Sequence, residues 1–357
     1  MKKQEPRVSI IIPIEEVNDY LRESLTHLAN LDYPDFEVLV FITKETKEEF
    51  PRTRFIVDPE LARRPAEKRD LALKYAKGEI LAFIDDDAYP ESCWLKNAVG
   101  YFKDPETAAV CGPGVTPPND SVLQKASGWV SASLLGGGPQ AFYRFLAREK
   151  REVDDYPSMN FIVRKSDFGV VGGFDSRFWP GEDTHFTLNL TKNLDKKIIY
   201  DPQVLVFHHR RPLFIPHLKQ NGRYGLHRGY FARVLPETSR RLSYFIPSLF
   251  TLFLFLELPL AFFLKNQISL GSSSQFSNAV ALAGLARVAS STTSLLWNLS
   301  GFLVLLYVLL LILSGFWVFS KERNLKVASL VIPGIFLTHI WYGLRFIQGF
   351  LSKELEH

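Results

Sequence analysis

The stretch from Gly78 to Leu95, GEILAFIDDDAYPESCWL, places three consecutive carboxylates directly after an apolar run. Ile80 to Ile84 is predicted to form a buried strand, and Asp85, Asp86 and Asp87 follow it. Like charges this close together are costly unless a positive group lies among them. Open α/β sheets bind ligands at the carboxyl ends of their strands, and Mg²⁺ usually combines one or two carboxylates with phosphate oxygens. A solvated acidic turn is the alternative, and the preceding strand favours a cation site.

Composition divides the chain into two parts. Its 357 residues suit about two domains, and the formal net charge of +4 excludes a strongly charged protein. The first part, up to about Leu242, has a mixed, soluble composition, whereas Leu, Phe, Ile and Val dominate from Tyr244 on. Cys93 and Cys111 offer neither a disulfide framework nor metal-ligand spacing, so they fit a reducing compartment. The early apolar run is too short for a signal peptide, so the first domain is expected in the cytoplasm.

Apolar runs and helical patterns alternate in the first part of the chain. Strands are predicted at Val8 to Ile14, Phe36 to Ile42 and Arg54 to Val57, followed by a helix at Pro65 to Ala76. Together with the strand before the carboxylates, this order predicts a parallel α/β sheet with right-handed crossovers.

Four further segments complete the predicted domain. From Val110 to Leu135 we expect a strand, a turn and a helix, and Gly136 to Pro139 is predicted to be a loop able to act as a lid. Met159 to Val163 and Ile198 to Phe207 are predicted strands.

The motifs, in this order, resemble those of a family 2 glycosyltransferase with the GT-A fold. The resemblance covers roughly Arg7 to His209 and rests on VSIIIP, FEVLVF, PAEKRDLALKYAKGEILAFIDDDAYP and GGFDSRFWPGEDTHF. Its most specific part is the ordered pair of an Asp-x-Asp at a strand end and a later GGFD…GED. The family implies a Rossmann-like α/β domain that binds a nucleotide-sugar. It also implies transfer of the sugar with the help of Mg²⁺ or Mn²⁺, usually with inversion at the anomeric carbon.

By this resemblance, Asp85 faces the nucleoside ribose and Asp87 holds the metal on the diphosphate. Such an ion would neutralise the charge that the leaving nucleoside diphosphate gains. Some GT-A enzymes use a histidine after the last strand as a further metal ligand, which makes His208 or His209 a candidate. A basic loop is the alternative for these histidines.

The predicted donor site departs from the family at one place. After the second strand the family has an acidic pair that contacts the base, whereas this chain has Ile42 and Thr43. Glu15 or Glu16 is the predicted substitute. The full predicted donor-binding set is Pro13, Glu15, Lys68, Arg69, Asp85 and Asp86. Lys68 and Arg69 lie where the family often has an arginine, and a solvated helix face is the alternative for them.

The resemblance assigns the chemistry to the GED motif. An inverting transfer needs a general base within hydrogen-bond reach of the acceptor hydroxyl. Asp183 is predicted to be this base, with Glu182 orienting the acceptor or the base. Alternatively, both carboxylates only favour the first turn of a helix. Trp179 is either a stacking surface for a sugar ring or a packing residue.

A basic segment follows, from residue 210 to 241. It has eight cationic side chains against the single acid Glu237. Apolar residues interleave with these cations, so the segment is predicted to lie at the membrane headgroups, and the hydrophobic chain that follows argues against nucleic-acid binding. Gln220, Arg223 and Tyr224 resemble the Gln-x-x-Arg-Trp of processive polysaccharide synthases, with Tyr in place of Trp. The predicted acceptor and lipid-phosphate set is Trp179, Arg210, Arg211, Gln220, Arg223 and Tyr224.

Three membrane spans are predicted in the last part of the chain: Ser243 to Leu264, Leu299 to Phe319 and Val327 to Phe350. Asn278 to Trp297 is less apolar and is predicted to be an interfacial or extramembrane helix, with a fourth span as the alternative. Three spans put the basic segment and the loop at residues 321–326 on the same, cytoplasmic side.

The sequence therefore predicts a GT-A domain (1–209), a basic interfacial segment (210–241) and a transmembrane domain (242–351) in a multi-pass protein of the cell membrane. The expected function is sugar transfer from a nucleotide-sugar to a polyprenyl-diphosphate-linked glycan acceptor in cell-surface polysaccharide or glycan synthesis. Transfer directly to polyprenyl monophosphate is one alternative. A non-catalytic membrane scaffold that binds nucleotide-sugars is another.

Overall fold

The computed structural model describes residues 5–57, 64–263 and 280–355, with the side chains of 280–293 left out. Eleven strands are described: β1 Val8–Pro13, β2 Phe36–Ile42, β3 Thr53–Val57, β4 Ile80–Ile84, β5 Ala88–Pro90, β6 Thr107–Cys111, β7 Gly114–Val115, β8 Arg151–Val153, β9 Asn160–Arg164, β10 Lys197–Tyr200 and β11 Val206–His208.

The described α-helices are α1 Asp19–Ala29, α2 Pro65–Asp70, α3 Ala72–Tyr75, α4 Trp94–Val99, α5 Val122–Ala132, α6 Leu134–Arg144, α7 Lys165–Val170, α8 Glu182–Leu188, α9 Ile215–Val234, α10 Pro236–Ser239, α11 Leu242–Leu252, α12 Val280–Glu322 and α13 Leu325–Leu351. The predicted helix at Pro65 to Ala76 is present as the consecutive helices α2 and α3.

The main sheet has eight strands in the order β3-β2-β1-β4-β9-β6-β10-β8. The strands β1 to β4 pair in parallel, as predicted. The apolar runs of β1, β2 and β4 are buried in the core, whereas only Ile56 of β3 is buried. However, β9 is antiparallel to both β4 and β6, and β8 is antiparallel to β10. The sequence analysis did not predict these reversed strands, because a buried apolar run carries no mark of its strand's direction.

A second, three-stranded sheet has the order β5-β11-β7. The single strand predicted at Ile198 to Phe207 is wrong, since the structure divides it between β10 of the main sheet and β11 of the small one. The division falls at Asp201 and Pro202, where the Asp201 side chain accepts a hydrogen bond from the backbone N–H of Gln203, at 2.8 Å. The pairing of β11 with β5 brings His208 opposite Ala88, beside the carboxylate cluster.

The predicted loop from Gly136 to Pro139 is also wrong, because these residues lie inside α6. Ser133 caps the helix by accepting from the backbone N–H of Gly136, at 3.0 Å. Only Gly138 departs from helical geometry, with φ of +68°, and it kinks the helix there.

Three helices in the described residues are long and apolar enough to cross a membrane, judged by length and composition. They are Leu242–Phe263, Ser294–Glu322 and Leu325–Leu351, within a few residues of the predicted spans. The separate interfacial helix predicted at Asn278 to Trp297 is not found, because α12 runs without a break from Val280 into the second span. Asn278 itself, and Leu264 at the end of the first predicted span, lie outside the described residues.

The helix α9 joins the two parts of the molecule by packing along α13. Gly222, Gly225 and Gly229 of α9 face Trp341, Tyr342 and Phe346 of α13, and a Cβ at any of these glycines would overlap the facing helix. This close approach fixes α9, which borders the carboxylate cluster, against the last span.

Asn160 links the two sheets in the buried core. Its Nδ2 donates to the carbonyl oxygens of Gly112 and Val204, both at 2.7 Å, and its Oδ1 accepts from Trp94 Nε1 at 2.9 Å. Asn160→Ala should lower the free energy of unfolding by about 2 kcal/mol or more, because the buried Val204 carbonyl and Trp94 indole each lose a hydrogen bond worth about 1–3 kcal/mol. The Gly112 carbonyl keeps the bond donated by the Tyr156 hydroxyl, at 2.7 Å. Unfolding followed in detergent micelles measures this loss.

Asn97→Ala is the matched control. Its Nδ2 donates to a single carbonyl, that of Gln203, at 2.8 Å near the surface, where water replaces the lost bond. The control should cost about 1 kcal/mol or less. Equal losses in the two variants would contradict a core role for Asn160.

Candidate active site

The three carboxylates after β4 have different environments. The Asp87 carboxylate is buried and lies 3.0 Å from His208 Nε2 and 3.4 Å from Arg211 Nη2. Burial opposes ionisation of Asp87, yet His208 and the nearby arginines hold its pKa below the usual range. The Asp86 carboxylate has a different partner and accepts a hydrogen bond from Asn18 Nδ2 at 2.8 Å. Burial, followed by the charge of Asp87, raises the pKa of Asp86 to about 6.

Asp85, Asp87 and His208 form a group that can hold a metal ion. Each offers one ligand atom, and these atoms lie within 4.8 Å of one another. Two carboxylates and one imidazole suit a divalent cation such as Mn²⁺ and leave positions open for phosphate oxygens. The structure thus brings together the three residues predicted as metal ligands.

Arg210 sets the orientation of the His208 ring. Its Nη1 lies 3.1 Å from His208 Nδ1, and a guanidinium only donates hydrogen bonds, so Nδ1 is the acceptor. The ring proton then lies on Nε2 and points to Asp87, where a bound cation would replace it. Arg210 is buried and also donates to Thr116 Oγ1 and to the carbonyl of Gly114.

Arg69 connects the carboxylate cluster to the GED motif. Its Nη2 donates to Asp85 Oδ1 at 2.8 Å, and its Nη1 donates to Glu182 Oε1 at 3.2 Å. The arginine and Glu182 side chains are both nearly inaccessible to water, at 6% and 7% exposed. A buried guanidinium between two carboxylates holds both motifs at a fixed separation.

Glu182 and Asp183 begin α8, beside Arg69. Burial, followed by the charge of Asp183, raises the pKa of Glu182 to about 7, although Arg69 opposes the shift. Burial, followed by the charge of Asp155, also raises the pKa of Asp183. Two adjacent acids with raised pKa values suit proton transfer near neutral pH.

The predicted donor residues gather at the ends of β1 and β4. A cavity of about 580 Å³ opens there, lined by Asn18, Asp19, Tyr20, Asp86, Asp87 and Arg211. Pro13 ends β1, and the exposed Glu15 follows it. Lys68 is buried and donates to the carbonyl of Ile14 and to Thr43 Oγ1. It therefore braces the strand ends, and a contact of Lys68 with a diphosphate stays a prediction.

The predicted acceptor residues separate into two groups. Arg211 is 57% exposed beside Asp87, and Tyr224 is also exposed. Gln220 donates to the Tyr224 hydroxyl at 3.1 Å, one turn away on α9. Arg223 is exposed, and Trp179 is partly buried. Arg210 belongs to the inner layer already described and is not accessible to a lipid phosphate in this structure.

A buried ion network next to Asp183 was missed by the sequence analysis. Asp155 accepts from Arg228 Nη2 at 2.6 Å and lies 3.1 Å from Arg144 Nη2. Its other oxygen accepts from Thr184 Oγ1 at 3.1 Å. These residues come from distant segments, so no local pattern links them. The sequence carried one clue to this network. Arg228 lies one helical turn beyond Tyr224 and therefore on the same face of α9.

Together these features describe an α/β domain that resembles the GT-A fold, followed by helices able to cross a membrane. Residues 9–172 match the family model described as glycosyl transferase family 2. The resemblance predicted from the sequence is therefore confirmed over this part of the chain, which matches a family of glycosyltransferases.

Several known proteins are similar to this chain. A pre-mycofactocin glycosyltransferase of Mycobacterium tuberculosis is 28% identical over 159 residues, which is 41% of this chain and 30% of that protein's length. A dolichyl N-acetyl-α-D-glucosaminyl phosphate 3-β-D-2,3-diacetamido-2,3-dideoxy-β-D-glucuronosyltransferase of Methanococcus voltae is 24% identical over 249 residues, 63% of this chain and 74% of its own. A solved Pyrobaculum calidifontis mannosyltransferase in complex with GDP-Man and Mn²⁺ covers 84% of this chain and 86% of its own, with 21% identity and a TM-score of 0.49.

The interaction energy between Arg69 and Glu182 can be measured with a double-mutant cycle of Arg69→Met and Glu182→Gln. Removing Arg69 alone leaves the buried Glu182 carboxylate without a cation, whereas the loss of stability should be smaller when Glu182 is already neutral. We expect a coupling of about 1–3 kcal/mol in the free energy of unfolding, measured in detergent at about pH 8, where Glu182 is mostly ionised.

The matched control is the exposed pair of Arg22 and Glu48, whose closest atoms lie 2.8 Å apart. Arg22→Met and Glu48→Gln should couple by less than about 1 kcal/mol, because solvent screens the pair. If the coupling energy between Arg69 and Glu182 is as small as that of the control pair, the buried bridge contributes nothing to stability.

Proposed function

We propose that this chain transfers a sugar from a nucleotide-sugar to a lipid-linked acceptor at the membrane surface, with inversion. The observation that carries the proposal is the Arg69 bridge, which places a possible divalent-cation site beside a pair of acids with raised pKa values. Three candidate membrane spans adjoin the same domain and support an acceptor that is held in the bilayer.

The proposed mechanism is a single displacement. Asp183 takes the proton of the acceptor hydroxyl as it attacks the anomeric carbon. Glu182, held by Arg69, fixes the position of that base, and Asp85 orients the nucleoside. A bound divalent cation would stabilise the charge of the leaving diphosphate, and Arg211 adds a positive charge at the same place.

The acceptor is proposed to be a glycan on a polyprenyl diphosphate. The printed name of the Methanococcus voltae relative includes a dolichyl phosphate, which supports a lipid carrier. Exposed cations near the cleft, Arg211 and Arg223, suit its phosphates. The basic loop at residues 321–326 favours a cytoplasmic catalytic domain in the cell membrane.

The proposal is tested by the release of nucleoside diphosphate from a panel of nucleotide-sugars, with Mg²⁺ or Mn²⁺ and with or without a membrane lipid extract. Lipid extract should stimulate release by the wild type. Asp87→Ala should reduce turnover about a thousandfold through lost stabilisation of the leaving group. Asp183→Asn should reduce it about 10²–10⁴-fold through loss of the base.

Asp32→Asn is the control, because Asp32 is exposed and pairs with the exposed Lys96 at 2.7 Å. Its activity should equal that of the wild type. Substantial turnover by Asp183→Asn would instead favour transfer to polyprenyl monophosphate, whose nucleophile is already ionised. Metal-dependent binding of a donor without any turnover would favour the non-catalytic scaffold.

The raised pKa of Asp183 also predicts the pH dependence of transfer. Only the ionised carboxylate accepts a proton, so kcat/KM should fall as the pH drops through this pKa. The acidic limb should therefore lie above about 3.9, where an ordinary aspartate titrates. A pH–rate profile that stays flat down to that range would contradict the role of Asp183 as a buried base.

A further inference from the structure

A second cavity, of about 150 Å³, lies between the catalytic domain and the end of the second candidate span. Its walls include an aromatic and apolar surface from α5 and from the end of α6, and one acid from the end of α12. The residues that line the cavity include Thr116, Gly128, Trp129, Ala132, Phe145 and Glu322.

The cavity lies at the level where the membrane would begin. Trp129 Nε1 donates to Glu322 Oε2 at 3.0 Å, at the last residue of α12. The Trp129 ring also meets the ring of Trp317, inside the second span, edge to face at 5.5 Å between centroids. Tryptophans concentrate at the boundary between lipid and water. The cavity therefore borders the membrane on the side of the catalytic domain.

The charges around the cavity argue against an anion as its occupant. Lys125, which lines it, is paired with Glu322 at 3.0 Å. The remaining walls are mostly apolar or aromatic, so the surface suits a hydrocarbon chain.

A single residue separates this cavity from the metal-binding group. Arg210 donates to Thr116 Oγ1 at 3.3 Å and lies 4.6 Å from the centre of the Phe145 ring, and both of these residues line the cavity. On its other side Arg210 contacts His208. A chain in the cavity would therefore lie one guanidinium away from the metal-binding group.

We propose that this cavity binds the isoprenoid chain of the lipid-phosphate acceptor, next to its phosphate. The proposal rests on the proposed function and adds the place where the lipid is recognised. An acyl chain of a bulk phospholipid fits the apolar walls as well, but only the acceptor must present its head group to the neighbouring active site. The active site should therefore distinguish acceptors by chain length.

The test uses N-acetylglucosaminyl phosphates that carry either a dolichyl chain or only a methyl group, with the donor found in the panel. The wild type should have a higher kcat/KM for the dolichyl acceptor. Ala132→Leu fills the cavity and should lower this preference about tenfold, because the chain loses the burial of a few CH₂ groups. Turnover of the methyl acceptor, which has no chain to place in the cavity, should be unchanged.

Leu134→Trp is the matched control, since Leu134 is 60% exposed at the start of α6 and does not line the cavity. It should keep the wild-type preference. A wild type without chain-length preference, or an Ala132→Leu variant that retains it, would overturn the proposal while leaving the transferase function intact.

A second measurement needs neither turnover nor a variant. A photoreactive isoprenoid phosphate that carries a diazirine on its first isoprene units should label peptides containing Trp129 or Phe145 in the wild type. Excess dolichyl phosphate should prevent the labelling, and phosphatidylcholine should not. Labelling elsewhere, or equal competition by phosphatidylcholine, would reject the cavity as the acceptor's site. Labelling at the cavity without transfer to any acceptor would reject the proposed function alone.

Discussion

The active site depends on one buried guanidinium. Arg69 lies between Asp85, at the end of the central strand β4, and Glu182, at the start of α8. Buried carboxylates are tolerated only when a cation or hydrogen-bond donors compensate them, so the arginine permits both acidic motifs to share one cleft. Its fixed fork also sets their separation, because it donates to each carboxylate from a different nitrogen.

The helix α9 connects the active site to the candidate membrane helices. One face of α9 is rich in glycine and packs closely against α13. Another face carries Arg228 to the buried Asp155, whose other oxygen bonds to Thr184 beside the proposed base. The last span therefore supports the walls of the active site through α9, and it also packs against α5 of the catalytic domain.

Local patterns predicted much of this arrangement. A buried strand that ends in carboxylates marked Asp85 and Asp87, and hydrophobic length marked the three spans. Relations between distant segments were not predictable. The reversed direction of β9 leaves no trace in an apolar run, and the network around Asp155 joins residues that no spacing connects. Arg69 was recognised only as a cation near the donor, because its second partner, Glu182, lies 113 positions along the chain.

The most direct test of the account is a structure determined with Mn²⁺ and a nucleoside diphosphate, with anomalous scattering used to locate the metal. We expect the manganese signal in contact with Asp87, within the group it forms with Asp85 and His208, and the diphosphate on the side of Arg211. Arg69 should still bridge Asp85 and Glu182. A manganese signal away from these residues, or a nucleotide bound elsewhere, would contradict the account.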